Sequence, residues 1–222
     1  MGVLDLLLPE RCVVCGEGER GLFCGTCRAG LLRLLGSLCA RCGAPTAWPV
    51  ERCGECAGRR LSFASARAGV AYDGGARSLV AAWKEGGLRR LAAVAAELVA
   101  EVVPRPAAAE ALTWVPPDPD RRGWRGVSTA EALALELSRL WDLPAMPLLD
   151  RARRLSRQRG LSRAERRANV RGAFHATSAP ALVAVVDDVY TTGATADAAA
   201  RALRRGGARA VHVITFARAV RR

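Results

Sequence analysis

The stretch Ala181-Leu182-Val183-Ala184-Val185-Val186-Asp187-Asp188-Val189-Tyr190-Thr191-Thr192-Gly193-Ala194-Thr195 reads as a buried strand that opens, through two acids and a loop of small residues, into a helix. That helix follows Thr195 and stops at Gly206-Gly207, with Arg204 and Arg205 suited to its negative end. In open α/β sheets ligands sit beyond the carboxyl ends of the strands, so this loop lies where a ligand belongs. Backbone N–H groups at a helix start, joined by the hydroxyls of Thr191, Thr192 and Thr195, form a cradle for phosphate, and Gly193 lets the backbone approach the anion. Asp187 and Asp188 suit the paired hydroxyls of a ribose. They also attract Mg2+, a hard cation that favours oxygen.

Outward from this segment, short apolar runs alternate with helical stretches from Ser65 onward, which is how an α/β domain with a mainly parallel sheet reads. Strands are expected at Arg67 to Tyr72, Ala111 to Val115, Ala145 to Leu149, Ala181 to Val186 and Ala210 to Phe216. A helix is expected from Leu88 to Val103, with Leu91, Val94, Ala95, Leu98 and Val102 at helical spacing and Pro104 as its stop. Another runs from Thr129 to Trp141 and ends before Pro144. The expected organisation is a small cysteine module over residues 1–60 and an α/β domain over residues 61–222.

All eight cysteines fall in the first part, as Cys12-x-x-Cys15, Cys24-x-x-Cys27, Cys39-x-x-Cys42 and Cys53-x-x-Cys56. Two intervening residues let both sulfurs of a pair reach one ion, and four thiolates close a tetrahedral structural zinc site. Two zinc ions are therefore expected. Neighbouring pairs give the shortest loops, with a cross-braced arrangement as the alternative. Glycines at Gly16, Gly25, Gly43 and Gly54 stand where the chain must curl round the metal. Leu31, Leu32, Leu34, Leu35 and Leu38 read as a short helix packed on the first site. Four tandem pairs argue against a redox dithiol, which is normally single, and reduced cytosolic thiols favour metal over disulfides.

The formal charge of +13 and pI near 10.7 attract phosphate-rich partners of any kind. No stretch reaches the roughly 18 apolar residues of a membrane helix. The segment Met1 to Pro9 is apolar but short, without a positive flank, and a cytoplasmic protein is expected.

On the quoted loop, the chain resembles the type I phosphoribosyltransferases, and as a whole it resembles the ComF family of competence-associated proteins, which join an N-terminal cysteine module to such a domain. Further blocks carry the likeness: Tyr72-Asp73-Gly74 with Arg77 and Trp83-Lys84-Glu85-Gly86, then Arg151-Ala152-Arg153 with Gln158, Leu161, Glu165-Arg166, Asn169-Val170 and Gly172-Ala173-Phe174. Lys84, Gln158 and Asn169 are the only lysine, glutamine and asparagine in the chain, and all three fall in these blocks. A lone lysine supplies a compact point charge that arginine cannot. Departures occur at Asp118, Asp120 and Arg125-Gly126-Val127-Ser128-Thr129, where the family shows Val-Pro-Val-Pro and Arg-Gly-Phe-Asn-Gln, and at Leu155, where it has Thr. They bear on turnover more than on binding.

The resemblance implies a phosphoribosyltransferase-like fold, Rossmann-like, that binds phosphoribosyl pyrophosphate with Mg2+. Asp187 and Asp188 would hold the ribose hydroxyls, Thr191, Thr192, Gly193, Ala194 and Thr195 the 5-phosphate, and Arg125 with Lys84 would face pyrophosphate. As a glycosyltransferase it would pass phosphoribose to a nitrogen acceptor. The other class of function it implies is single-stranded DNA binding within the DNA-uptake machinery, with the sugar-phosphate pocket regulatory or vestigial. Nine arginines from Arg151 to Arg171 read as a loop that closes over a reaction or contacts backbone phosphates.

Overall fold

The computed structural model describes residues 11–18, 21–117, 128–151 and 172–220. A short helix α1 (Gly25–Ala29) precedes β1 (Ser65–Ala71), α2 (Gly74–Glu85), α3 (Leu91–Ala100), β2 (Ala111–Trp114) and α4 (Thr129–Trp141). A two-residue pair follows, β3 (Asp150–Arg151) antiparallel to β4 (Phe174–His175). The chain then forms β5 (Leu182–Tyr190), α5 (Ala194–Arg205) and β6 (Ala210–Arg218). The main sheet has the order β1-β6-β5-β2 with every pairing parallel. The fold is thus α/β, a parallel sheet flanked by helices, with the cysteine segment ahead of it.

Strand alternation divides the core between the two sheet faces. Ala184 and Val186 of β5 join Leu79, Trp83, Leu98, Leu133 and Leu137 of α2, α3 and α4, whereas Val183 and Val185 join Ala196, Ala199, Ala200 and Leu203 of α5. Small alanines on α5 let that helix sit close to the strands. Each fully buried Leu or Val contributes about 1.5 to 3 kcal/mol.

The structure extends and corrects several expectations. Helix α2 was not expected, although Asp73 announces it: its carboxylate accepts from the Ala76 N–H, and Ala76, Leu79, Val80 and Trp83 face the core. Helix α4 matches the expected range, with a capping box between Ser128 and Glu131. The strand expected from Ala145 reduces to a single parallel bridge between Ala145 and Leu112. The leucine run after Cys27 is not a helix. Arg33 bridges Val70 antiparallel, Leu34 N–H bonds to the Gly69 carbonyl and Ala71 N–H to the Leu32 carbonyl, so this run covers the free edge of β1. Of the four glycines expected to carry unusual dihedrals, only Gly16 and Gly43 have positive φ, 78° and 70°. Gly25 instead starts α1. Among the described residues no helix is long and apolar enough to cross a membrane.

Candidate functional site

The eight thiols gather as neighbouring pairs. Cys12, Cys15, Cys24 and Cys27 form one group and Cys39, Cys42, Cys53 and Cys56 the other, with the sulfurs of each group within 4.8 Å of one another. A tetrahedral ion with Zn–S bonds of about 2.3 Å places its sulfurs roughly 3.8 Å apart. The separations fit: 3.8 Å for Cys15 and Cys24, 3.6 Å for Cys39 and Cys56, and 3.5 Å for Cys42 and Cys53. They are far too long for disulfides. Backbone N–H groups point at the sulfurs, Cys24 N–H to Cys12 Sγ at 3.5 Å and Cys53 N–H to Cys39 Sγ at 3.3 Å. Burial raises the Cys12 thiol, but N–H donation from Cys24, Cys15 and Val14 outweighs it and brings the group down to about 6. Cys39 reaches about 6 in the same way, burial being outweighed by the N–H groups of Cys42 and Cys53. Each group thus holds one thiol primed as thiolate, the form a metal requires.

At the carboxyl end of the sheet, successive residues of β5 face opposite sides, and the two acids part accordingly. Asp188 turns to the face of α2 and α4. Its Oδ2 lies 2.8 Å from Lys84 Nζ in the last turn of α2 and accepts from Thr129 Oγ1, at the start of α4, at 2.6 Å. Asp187 turns to the α5 side, where it lines a hollow with Thr191, Gly193, Ala194, Thr195 and Thr215. The enclosed space is about 20 Å3, room for one water-sized group, so a larger anion would sit in its mouth. Gly193, with φ of 72°, has no side chain to cap the helix that starts at this hollow, and the Ala194 N–H donates to Thr192 Oγ1 at 3.4 Å.

Burial, reinforced by the negative charge of Asp188, pushes the Asp187 carboxyl up to about 7, and the Asp188 N–H that donates to it, with Lys84 and Arg151, only partly offsets this. A group that ionises less readily folded than unfolded contributes stability that is whole below about pH 4 and lost as pH rises through about 7. Asp187→Asn should therefore flatten the pH dependence of melting: from about pH 5 to about pH 8 the wild type falls by several degrees relative to the variant. Parallel melting curves would show that the carboxylate carries no such penalty.

Residues 3–57 match the family of the double zinc ribbon domain. Across 116 residues the chain is 36% identical to Competence protein F of Haemophilus influenzae, covering 50% of this chain and 51% of that protein. The chain is a homologue of Competence protein F. It carries a double zinc ribbon at its start, as the four cysteine pairs required. The match spans about half the length of that relative.

Of the residues singled out in the sequence, the structure brings Lys84, Asp188 and Asp187 to one end of the sheet with the loop Thr191 to Thr195. Arg151 joins them: its Nε donates to the Pro116 carbonyl at 3.2 Å and its guanidinium lies over the Phe174 ring. Arg125, Arg121 and Arg122, with Leu155, Gln158, Asn169 and the rest of the arginine run after Arg151, lie outside the described residues. Thr129 was not foreseen as a site residue. Its only signal was the departure from the family pattern at Ser128-Thr129.

Proposed function

We propose that the chain is a zinc-ribbon competence protein whose segment Asp187 to Thr195 binds phosphoribosyl pyrophosphate with Mg2+. One observation carries the reading: Asp187 shares its hollow with Thr191, Thr195 and the start of a 12-residue helix that follows Gly193, which has no capping side chain, so a carboxylate for ribose hydroxyls adjoins an anion cradle. Asp188 lies outside that hollow, on the face of α2 and α4, where Lys84 and Thr129 hold its carboxylate; it would meet the ligand beside Lys84. Lys84, with Arg125, would face the pyrophosphate, and Mg2+ would arrive with that pyrophosphate and take carboxylate oxygen.

In transfer, the lone pair of a nitrogen acceptor forms the bond to C1 of the ribose while the C1–O bond breaks, pyrophosphate leaves with the electron pair, and the nitrogen gives up its proton. The chain's part is positioning and charge stabilisation, since no protein nucleophile is required.

A second reading is single-stranded DNA handling during DNA uptake, favoured by the name of the Haemophilus relative and by nine arginines from Arg151 to Arg171. Mg2+ with phosphoribosyl pyrophosphate at about 100 times its dissociation constant should raise the melting temperature by roughly 5 to 10 °C. Asp188→Asn should remove that shift. Absence of a shift in the wild type would defeat the reading. Pyrophosphate release with a panel of nucleobases then separates transfer from binding alone, and salt-dependent oligonucleotide binding without any release would favour the second reading.

A further inference from the structure

Arg218 ends β6 with its side chain only 2% exposed. A buried guanidinium is tolerated when its donors are taken, and here the second cysteine cluster takes both terminal nitrogens, while the buried Nε has no hydrogen-bond partner. One terminal nitrogen donates to the Cys42 carbonyl at 2.6 Å; the other donates to Glu55 Oε2 at 2.7 Å and lies 3.9 Å from Cys42 Sγ. The same guanidinium lies 4.6 Å from the centroid of the Tyr190 ring. Tyr190 leads directly into the loop, and its buried hydroxyl has no hydrogen-bond partner and stands directly against Gly193. A second contact runs alongside. The segment leaving the cluster gives the Ser62 N–H to Asp197 Oδ1 at 2.6 Å, in the first turn of α5. The first cluster belongs to the other face of the sheet, where Val13, Leu22 and Phe23 pack.

We infer that the second four-cysteine cluster holds the Thr191 to Thr195 loop in its anion-receiving shape, with Arg218 and Tyr190 as the positioning residues between them. The ribbon is then a support for the site. Its consequence for ligand rests on the function proposed above; the mechanical link does not. Zinc thiolates fix Cys42 and hold Glu55 nearby, these fix Arg218, and Arg218 presses on the ring that underlies Gly193. Loss of Glu55, or of the metal that fixes Cys42, leaves a buried cation without its partners, which the surroundings relieve by moving.

Amide hydrogen exchange on the full chain tests the link without any ligand. Arg218→Lys keeps the charge but loses the fork that reaches Cys42 and Glu55 together. It should speed exchange at Thr191 to Thr195 by roughly tenfold, the factor expected for one lost charge-assisted hydrogen bond, while α3 exchanges as in the wild type. Glu55→Gln, which is less drastic, should change the same amides in the same direction. In a chelator titration, the loop should lose protection together with residues 39–56. The link is overturned if residues 39–56 open while the loop stays protected, or if the loop is unchanged in Arg218→Lys. Should that variant not fold, an unchanged loop in Glu55→Gln overturns it equally. A wild type that binds no phosphoribosyl pyrophosphate would defeat the proposed function and leave the exchange result to decide the link.

Discussion

Stripping zinc from the full chain lowers its melting temperature by roughly 10 to 20 °C or more, and elemental analysis before stripping gives two ions per chain. The ribbon has little core of its own. Cys39, Cys42 and Cys56 are themselves among the buried residues, grouped with Phe63 and Leu61. Without metal those thiols would be brought together with no gain, and structural zinc sites supply binding energy as folding energy. Even about 5 kcal/mol lost corresponds to a shift of roughly 10 to 20 °C in a domain of 150 to 250 residues. The ribbon also covers the sheet, since the run Leu32 to Leu34 closes the edge of β1, and the Arg41 carbonyl accepts from the Ala66 N–H. Loss of zinc therefore exposes an unpaired strand edge, and aggregation on heating should accompany the lower melting point. A chain that keeps its melting temperature after both ions are removed would show that the sheet stands without the ribbon.

The strands were legible where burial makes continuous apolar runs, as from Ala181 to Val186. The end of β5 was not, because Asp187 and Asp188 look like a loop although the strand continues through Tyr190. The leucine run misled for a related reason. Leu31 and Leu34 are buried at helical spacing, but Leu32 and Leu35 are 60% and 66% exposed and the backbone is extended along β1. Spacing alone cannot tell a helix from an irregular edge segment when its partner is a distant strand. The same limit governed the site. Lys84 stood out as the only lysine, and the family blocks implied a place facing pyrophosphate; its ion pair with Asp188 was not foreseen. That contact depends on α2 and β5 meeting across the sheet, and the parting of the two acids depends on strand continuation. Thr129 owes its role to the position of α4, which no local pattern records. The cysteine groups were the most legible part, because metal geometry constrains spacing within a short segment.

Gly193→Ala is expected to cost about 3 kcal/mol or more and to abolish the proposed binding of phosphoribosyl pyrophosphate. Two penalties combine. At φ of 72° the backbone lies in the left-handed region, where a side chain costs roughly 1 to 2 kcal/mol. The added Cβ would also stand 2.2 Å from the Tyr190 hydroxyl. That oxygen cannot withdraw freely, because its ring packs against the Arg218 guanidinium at 4.6 Å and, edge to face, against Phe63 with ring centroids 6.4 Å apart. Relief must come from the loop, and a moved loop takes the first N–H groups of α5 away from the anion. Tyr190→Phe separates the two penalties. Alone it removes a buried hydroxyl without a partner, so stability should hold or rise slightly. Combined with Gly193→Ala it should recover the steric share and leave the backbone share, a coupling that a double-mutant cycle on melting temperature measures directly. If Gly193→Ala is equally harmful with phenylalanine beneath it, the tyrosine oxygen is not what shapes the loop.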